Sequence, residues 1–344
     1  MAYSQHWPER PLGRGGLSTG PHAYGAAPIG NLGRVVTDRE WTGAIPAAWD
    51  CGVRYVDVAP HYGLGLAERR IGDSLAGRPR DEFIVSTKVG RLLTPAAHPS
   101  GPDDEGFAVP GNYVRVRDYS RDGVLRSLDA SLTRLGLDHV DILFVHDPDD
   151  HYREALEGAF PALEELRSQR VIRSYGAGMN QSAMLADFVR NTDLDVVMLA
   201  GRYTLLDQDG LGDLLPACQE RHVSVVAAGV FNSGLLARDR PRAGATYDYL
   251  PASAQLVERA NRIADICQSH GVPLPAAAAQ FPLGHPAVAT ACLGARSAAQ
   301  VRRNAALFET GIPASLWADL ISAGLLPETV PAPHSPAAGV PSGS

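Results

Sequence analysis

From about residue 53 onward the chain alternates short apolar runs rich in Val, Ile and Leu with longer stretches whose apolar residues recur every three or four positions. The runs at 53–58, 84–89, 140–146, 171–178, 194–199, 223–229 and 288–293 are apolar almost throughout, as strands buried on both faces must be. Between them, Val124, Leu125, Leu128, Leu132 and Leu135 share one helical face. Leu156, Phe160, Leu163 and Leu166 share another, and Leu256, Ala260, Ile263 and Ile266 a third. Strand followed by helix, repeated this often, predicts a parallel sheet.

Seven strands are plain, and a short eighth at 23–27, within TGPHAYGAAPIG, closes the set into a (β/α)8 TIM barrel of the α/β class. An open doubly wound sheet is the competing architecture, but its GxGxxG turn after the first strand is absent. In GLGLAERRIG the glycines fall at the wrong spacing. Residues 91–119, rich in Pro, Gly and acidic residues, read as a long loop following a strand. Such a loop lies at the C-terminal face, where barrel active sites are assembled. From Pro327 the sequence carries repeated Pro and Gly with little apolar content. One barrel domain over 1–326 and a disordered tail over 327–344 are therefore expected.

The 344 residues are 45% hydrophobic, enough for one large core, and their formal net charge of −7 argues against nucleic acid as a partner. The opening MAYSQHWPERPLGRGG lacks the apolar centre of a signal peptide, and no apolar run is long enough for a membrane span. A cytoplasmic protein without a membrane partner is expected. Cys51, Cys218, Cys267 and Cys292 are far apart with no CxxC spacing. They read as reduced core thiols, and no ligand cluster points to a metal.

Four polar residues stand at or just past strand ends: Asp57 and Tyr62 in YVDVAPHYG, Lys88 in VSTKVG, and His146 in ILFVHDPDD. Singly, each has an ordinary reading. A strand-end His is commonly a hydrogen-bonded core residue, Asp57 suits a turn, and Lys88 can snorkel to the surface. Together they gain a chemical logic, because a barrel brings adjacent strand ends to one mouth. A phenol is a poor proton donor or acceptor at neutral pH; a buried ammonium beside it favours the phenolate, and a carboxylate keeps that ammonium charged. Tyr62, Lys88 and Asp57 are expected to form one proton-transfer unit, with His146 orienting a substrate oxygen.

DVAPHYGLGLAERRIG resembles the signature of the aldo-keto reductases, in which Asp-x-Ala precedes Tyr-Gly and then a Glu and a Gly. STKVG, LFVHDPD, GAGMN and GARSAAQVRRN follow in that family's order, so the resemblance spans roughly residues 10–310. HDPD, RYTLLDQ and FNSGLLA resemble the branch of L-fucose, D-threo-aldose and L-galactose 1-dehydrogenases and pyridoxal 4-dehydrogenase. The resemblance implies a catalytic tetrad of Asp57, Tyr62, Lys88 and His146, with Tyr62 as general acid–base. It implies a nicotinamide dinucleotide held by Gly25, Ala26, Asp57 and Asn180. Phe231, Asn232, Ser233, Gly234 and Leu235 would wrap the pyrophosphate, and Gly294, Arg296, Ser297, Gln300 and Asn304 would hold the adenosine end. Ser297 with Gln300 also matches a helix-capping pattern, compatible with that role. Met179, Ala200 and Val230 depart from the commoner residues around the carboxamide and the cofactor loop.

The implied cofactor is NADP or NAD. Arg296 favours NADP if it meets a 2′-phosphate, although it could equally stack on adenine. The implied reaction is hydride transfer to or from a small carbonyl, such as an aldose hemiacetal or an aldehyde. A specialised-metabolite carbonyl, a non-catalytic cofactor-sensing subunit and a barrel lyase are the alternatives. His61, the 91–119 segment, Phe231 and the Tyr203 region are expected to line the mouth, in a monomer or weak homo-oligomer.

Overall fold

The computed structural model describes residues 7–98, 101–242, 244–248, 250–331 and 333. Eight parallel strands form a closed ring: β1 (His22–Gly25), β2 (Tyr55–Asp57), β3 (Ile84–Val89), β4 (Ile142–His146), β5 (Ser174–Met179), β6 (Val196–Ala200), β7 (Ser224–Ala228) and β8 (Val288–Gly294). Neighbours in sequence are neighbours in space, and β8 pairs with β1 to complete the (β/α)8 barrel. Helices such as Asp38–Asp50, Leu66–Leu75, Arg121–Leu135 and Ala298–Leu307 lie outside the ring. The helix starts are written locally. Thr37 and Glu40 form a reciprocal capping box, and Ser120, Ser253 and Ser297 each accept the N–H of the third residue beyond.

Several strands begin later than the apolar pattern does. Val53, Val171 and Val223 donate instead to Ala48, Leu166 and Cys218 in the preceding helix, at 2.9, 2.9 and 2.8 Å. They finish the helix rather than start the ladder, and Val53 and Val223 are buried while doing so.

Two cores result. Between strands and helices lies a large apolar layer. Inside the ring, Ala23, Tyr55, Ile142, Phe144, Val196, Met198, Val226 and Cys292 pack together. The N-terminal opening of the ring is closed by a hairpin of Arg10–Pro11 with Ser18–Thr19, which inserts Leu12 and Leu17. Arg10 donates to Val288 O (2.6 Å), Gly13 N to Ser224 Oγ (2.9 Å), and Arg14 pairs with Asp193 and Asp195. Nothing in the hydrophobic pattern marked this plug.

The segment 91–119, expected as a long loop at the C-terminal face, does lie there, and it also contains a ribbon that the sequence pattern did not announce. Arg91–Pro95 and Tyr113–Arg117 pair antiparallel over five positions. Residues 101–112 fold back across the mouth, where Ala108 N donates to Asn31 O (2.9 Å) and Gly33 N to Gly106 O (2.8 Å), burying Phe107. A two-stranded ribbon satisfies its own backbone groups, so it needs no apolar run to announce it. Of the expected tail, residues 327–331 and 333 are described. Val330 is buried, and the backbone of Pro331 and Pro333 occupies the place of a side chain on Gly284. The rest of that tail lies outside the described residues. Among the described residues the four cysteines are unpaired, with Cys51 partly exposed, and no helix is long and apolar enough to cross a membrane.

Candidate active site

Register places the polar strand ends together. Asp57 ends β2 opposite Ser86, Lys88 lies two residues further along β3, and His146 ends β4 opposite Gly178. Lys88, almost wholly buried, spends its ammonium on three acceptors: Asp57 Oδ2 at 2.6 Å, Val58 O at 3.0 Å and Tyr62 Oη at 3.1 Å. Asp57 Oδ1 accepts from Ser86 Oγ at 2.7 Å, and that hydroxyl meets Tyr55 Oη at 3.0 Å. The wiring leaves neither charge idle, as burial of an ion pair demands.

Tyr62 stands in the turn after β2. The turn is seated by backbone contact: a Cβ on Gly63 (φ +63°) would lie 2.2 Å from Gly30 O, and one on Gly30 would lie 2.8 Å from the Tyr62 carbonyl carbon. Glycine is required at both positions because two turns touch there. The His146 ring is perpendicular to the Tyr62 ring, with centroids 6.0 Å apart. His61 and Phe107 complete an aromatic wall around the phenol.

Burial pushes the Tyr62 phenol above its ordinary value; Lys88 pulls the other way and Asp57 adds to the rise. The sequence-based expectation that Lys88 lowers the phenol names only the opposing arm. Burial outweighs the attraction of Lys88, so the resting phenol holds its proton and Lys88 only limits the rise. Lys88 itself is drawn down by burial, but Asp57 and Tyr62 outweigh that and hold it charged. Burial and the cations Arg91 and Lys88 keep His146 well below its usual range, and His61 is pushed to about 2 by burial and Arg91. Both imidazoles are neutral.

Across the mouth lie the other strand ends. Gly25 ends β1 beside Asp57 and Gly294, and Ala26 is buried behind it. Asn180 is exposed just past β5. After β7, partly buried Phe231 leads into Asn232, Ser233 and Gly234, all with positive φ. Asn232 Nδ2 donates to Gly201 O (3.2 Å), and its buried Oδ1 has no partner among the described residues. Leu235 is buried and its N–H is bonded to Asn232 O, so it supports this turn from beneath rather than facing a ligand. At β8, Asn304 holds Gly294 O (3.2 Å), and Ser297 caps the following helix. The Gln300 side chain accepts from Arg296 N (2.7 Å), one residue further back than a capping box requires. Arg296 donates to Leu32 O (2.8 Å), while its buried Nε has no partner among the described residues. A side-chain-free rim at Gly25 and Gly294, a left-handed turn, and unpartnered Asn232 and Arg296 atoms fit an extended dinucleotide.

Tyr203 does not line the mouth: it is buried against Phe281 and His285. Three residues without an assigned role do stand there. Phe107 covers Tyr62, while Arg91 contacts Asp147 and lies 3.4 Å from Glu105. Asp147 directly follows the strand-end His, a placement that could have flagged it; Arg91 and Phe107 sat in a segment without periodicity.

Residues 23–323 match the model of the Aldo/keto reductase family. The chain is 48% identical to a D-threo-aldose 1-dehydrogenase of Pseudomonas sp. over 316 residues, covering 91% of this chain and 96% of that one. It is 43% identical to a pyridoxal 4-dehydrogenase of Microbacterium luteolum over 337 residues, covering 92% and 98%. A solved aldo-keto reductase from Bacillus halodurans in its holo form superposes with a TM-score of 0.71 at 26% identity, covering 92% and 96%.

Proposed function

The chain belongs to the aldo/keto reductase family, and on that footing we propose an NAD(P)-dependent oxidoreductase moving hydride between nicotinamide and C1 of an aldose, or a comparable small alcohol or aldehyde. The observation that carries this reading is Lys88, buried at the rim between Asp57 at 2.6 Å and Tyr62 Oη at 3.1 Å. The relatives named for an aldose and for pyridoxal support the substrate class.

When bound, the dinucleotide supplies or accepts the hydride; Gly25, Ala26, Asn180, the 231–234 turn and the Arg296–Asn304 segment would hold it. Tyr62 keeps a proton at Oη and gives it to the substrate oxygen in reduction, or takes it from the hydroxyl in oxidation. Lys88 stabilises the negative charge that gathers on Oη, and Asp57 holds Lys88 in place and charged. Neutral His146 offers a ring N–H to the same oxygen, and Phe107 excludes water from Tyr62. The open Nε of Arg296 favours NADP, whose extra phosphate gives a guanidinium an acceptor. A monomer or weak homo-oligomer is proposed. Separated, unpaired thiols suit the cytoplasm.

A panel of aldoses and aldehydes, followed at the nicotinamide absorbance band with each cofactor, tests the reading. Tyr62→Phe is expected to lose about a thousandfold in kcat while cofactor Kd stays within about threefold. A Tyr62→Phe enzyme with near wild-type turnover would remove Tyr62 from its role.

A further inference from the structure

We propose that Asp147, gripped by Arg91, selects the substrate by accepting a hydrogen bond from the hydroxyl on the carbon next to the reacting one. The preferred substrate is then a neutral aldose bearing a free C2 hydroxyl. This rests on the reductase reading above, in which His146 meets the reacting oxygen.

Asp147 Oδ2 lies 3.4 Å from His146 Nε2, about one hydroxyl spacing from where that oxygen would sit. The backbone is set for this. Asp147 has φ +40°, a conformation that side-chain-bearing residues avoid and that marks functional positions when the surroundings enforce it. Here they do so: its N–H donates to Gly178 O at 3.1 Å, and Tyr119 Oη donates to its carbonyl at 3.0 Å.

The two partners differ in access. The Arg91 side chain is 9% exposed, whereas that of Asp147 is 32% exposed, so Arg91 serves as the anchor and Asp147 remains reachable. Arg91 Nε and His146 Nδ1 are buried without partners among the described residues, leaving polar capacity at the site beyond what the chain itself uses.

Charge sets the substrate class. Lys88, Arg91, Arg115 and Arg117 act on this mouth, and Asp57, Asp103, Glu105 and Asp147 match them. No excess positive charge remains to draw a phosphorylated or carboxylated substrate. His61 and Phe107, edge to face with centroids 5.1 Å apart, add an aromatic corner against which the C–H groups of a sugar ring can pack.

The test compares oxidation of an aldose with that of its 2-deoxy counterpart, in the wild type and in Asp147→Asn, which keeps the side chain's shape. The wild type is expected to favour the full sugar by tenfold to a hundredfold in kcat/KM, the range for losing a hydrogen bond to a charged acceptor. Asp147→Asn should cut that preference below about threefold, with the change carried by KM. Arg91→Lys, which keeps the charge but loses the forked grip, should give an intermediate preference. The inference is overturned if the wild type accepts both sugars equally, or if Asp147→Asn retains the preference. It is also overturned if both variants lose kcat on both sugars in the same proportion. A wild type that oxidises no aldose at all overturns the functional reading itself, an outcome separate from these.

Discussion

On the β2–β4 side of the barrel mouth the charged side chains are already committed to one another. Asp57 binds Ser86 and Lys88, and Lys88 binds Asp57, Val58 and Tyr62. On the opposite side, along β1 and β5–β8, the chain presents glycines, a left-handed turn at 232–234 and side-chain atoms without partners at Asn232 and Arg296. In one half the Asp57–Lys88–Tyr62 wiring is complete before anything binds, as proton transfer between fixed atoms requires. The other half is shaped around a partner, because a long polar ligand needs backbone within reach and groups still to be satisfied. Substitutions in the wired half should therefore change rates, and those in the open half affinities.

The sharpest way to break this contrast is Lys88→Met. It should lower oxidative kcat by at least about a hundredfold. It should also move the rising limb of the oxidative pH–rate profile to higher pH, because burial and Asp57, both of which raise the Tyr62 phenol, then go unopposed. A profile that stays in place would show that Lys88 does not govern the phenol. Since the substitution strands Asp57 in the core, at a cost of about 3–5 kcal/mol, the double change with Asp57→Asn separates chemistry from folding. Next in size is Gly63→Ala, which presses a Cβ onto Gly30 O at a left-handed position. Urea unfolding should reveal a loss of about 2 kcal/mol or more, and saturating turnover should fall at least tenfold as the Tyr62 turn shifts. Lost stability with turnover intact would mean that something else seats Tyr62. The smallest effect belongs to the open half. Asn304→Ala removes the bond to Gly294 O and should cost about 1 kcal/mol of stability. Cofactor Kd should rise several-fold, and a larger change in kcat than in Kd would erase the distinction between the halves.

How much of this could be read beforehand follows from the same physics. Strands buried on both faces write themselves as apolar runs, so all eight barrel strands were visible, and the strand-end positions of Asp57, Lys88 and His146 came with them. Strand starts were misplaced wherever a valine closes the preceding helix, because burial looks alike in both settings. The Arg91–Pro95 and Tyr113–Arg117 ribbon escaped because four of the five residues of its second strand are exposed, leaving no alternation to detect. The segment was expected at the mouth, but that Arg91 would meet Asp147 and Phe107 would cover Tyr62 depends on how it folds back. Ser86 and Tyr55 drew no notice, since a hydroxyl inside a barrel strand is invisible until the register sets it against Asp57.

The hairpin at 10–19 fastens the start of the described chain to the first residues of β7 and β8, more than two hundred positions downstream. Contacts so distant in sequence make folding slow, since the entropy of closing a very long loop is spent before any reward arrives. A ring also has no partial solution. Until β8 has been synthesised, β1 and β7 are raw sheet edges, and Leu12 and Leu17 have only an unfinished interior to enter. During synthesis the nascent chain therefore passes through its most aggregation-prone state just before β8 emerges, and release from that state comes with a single strand.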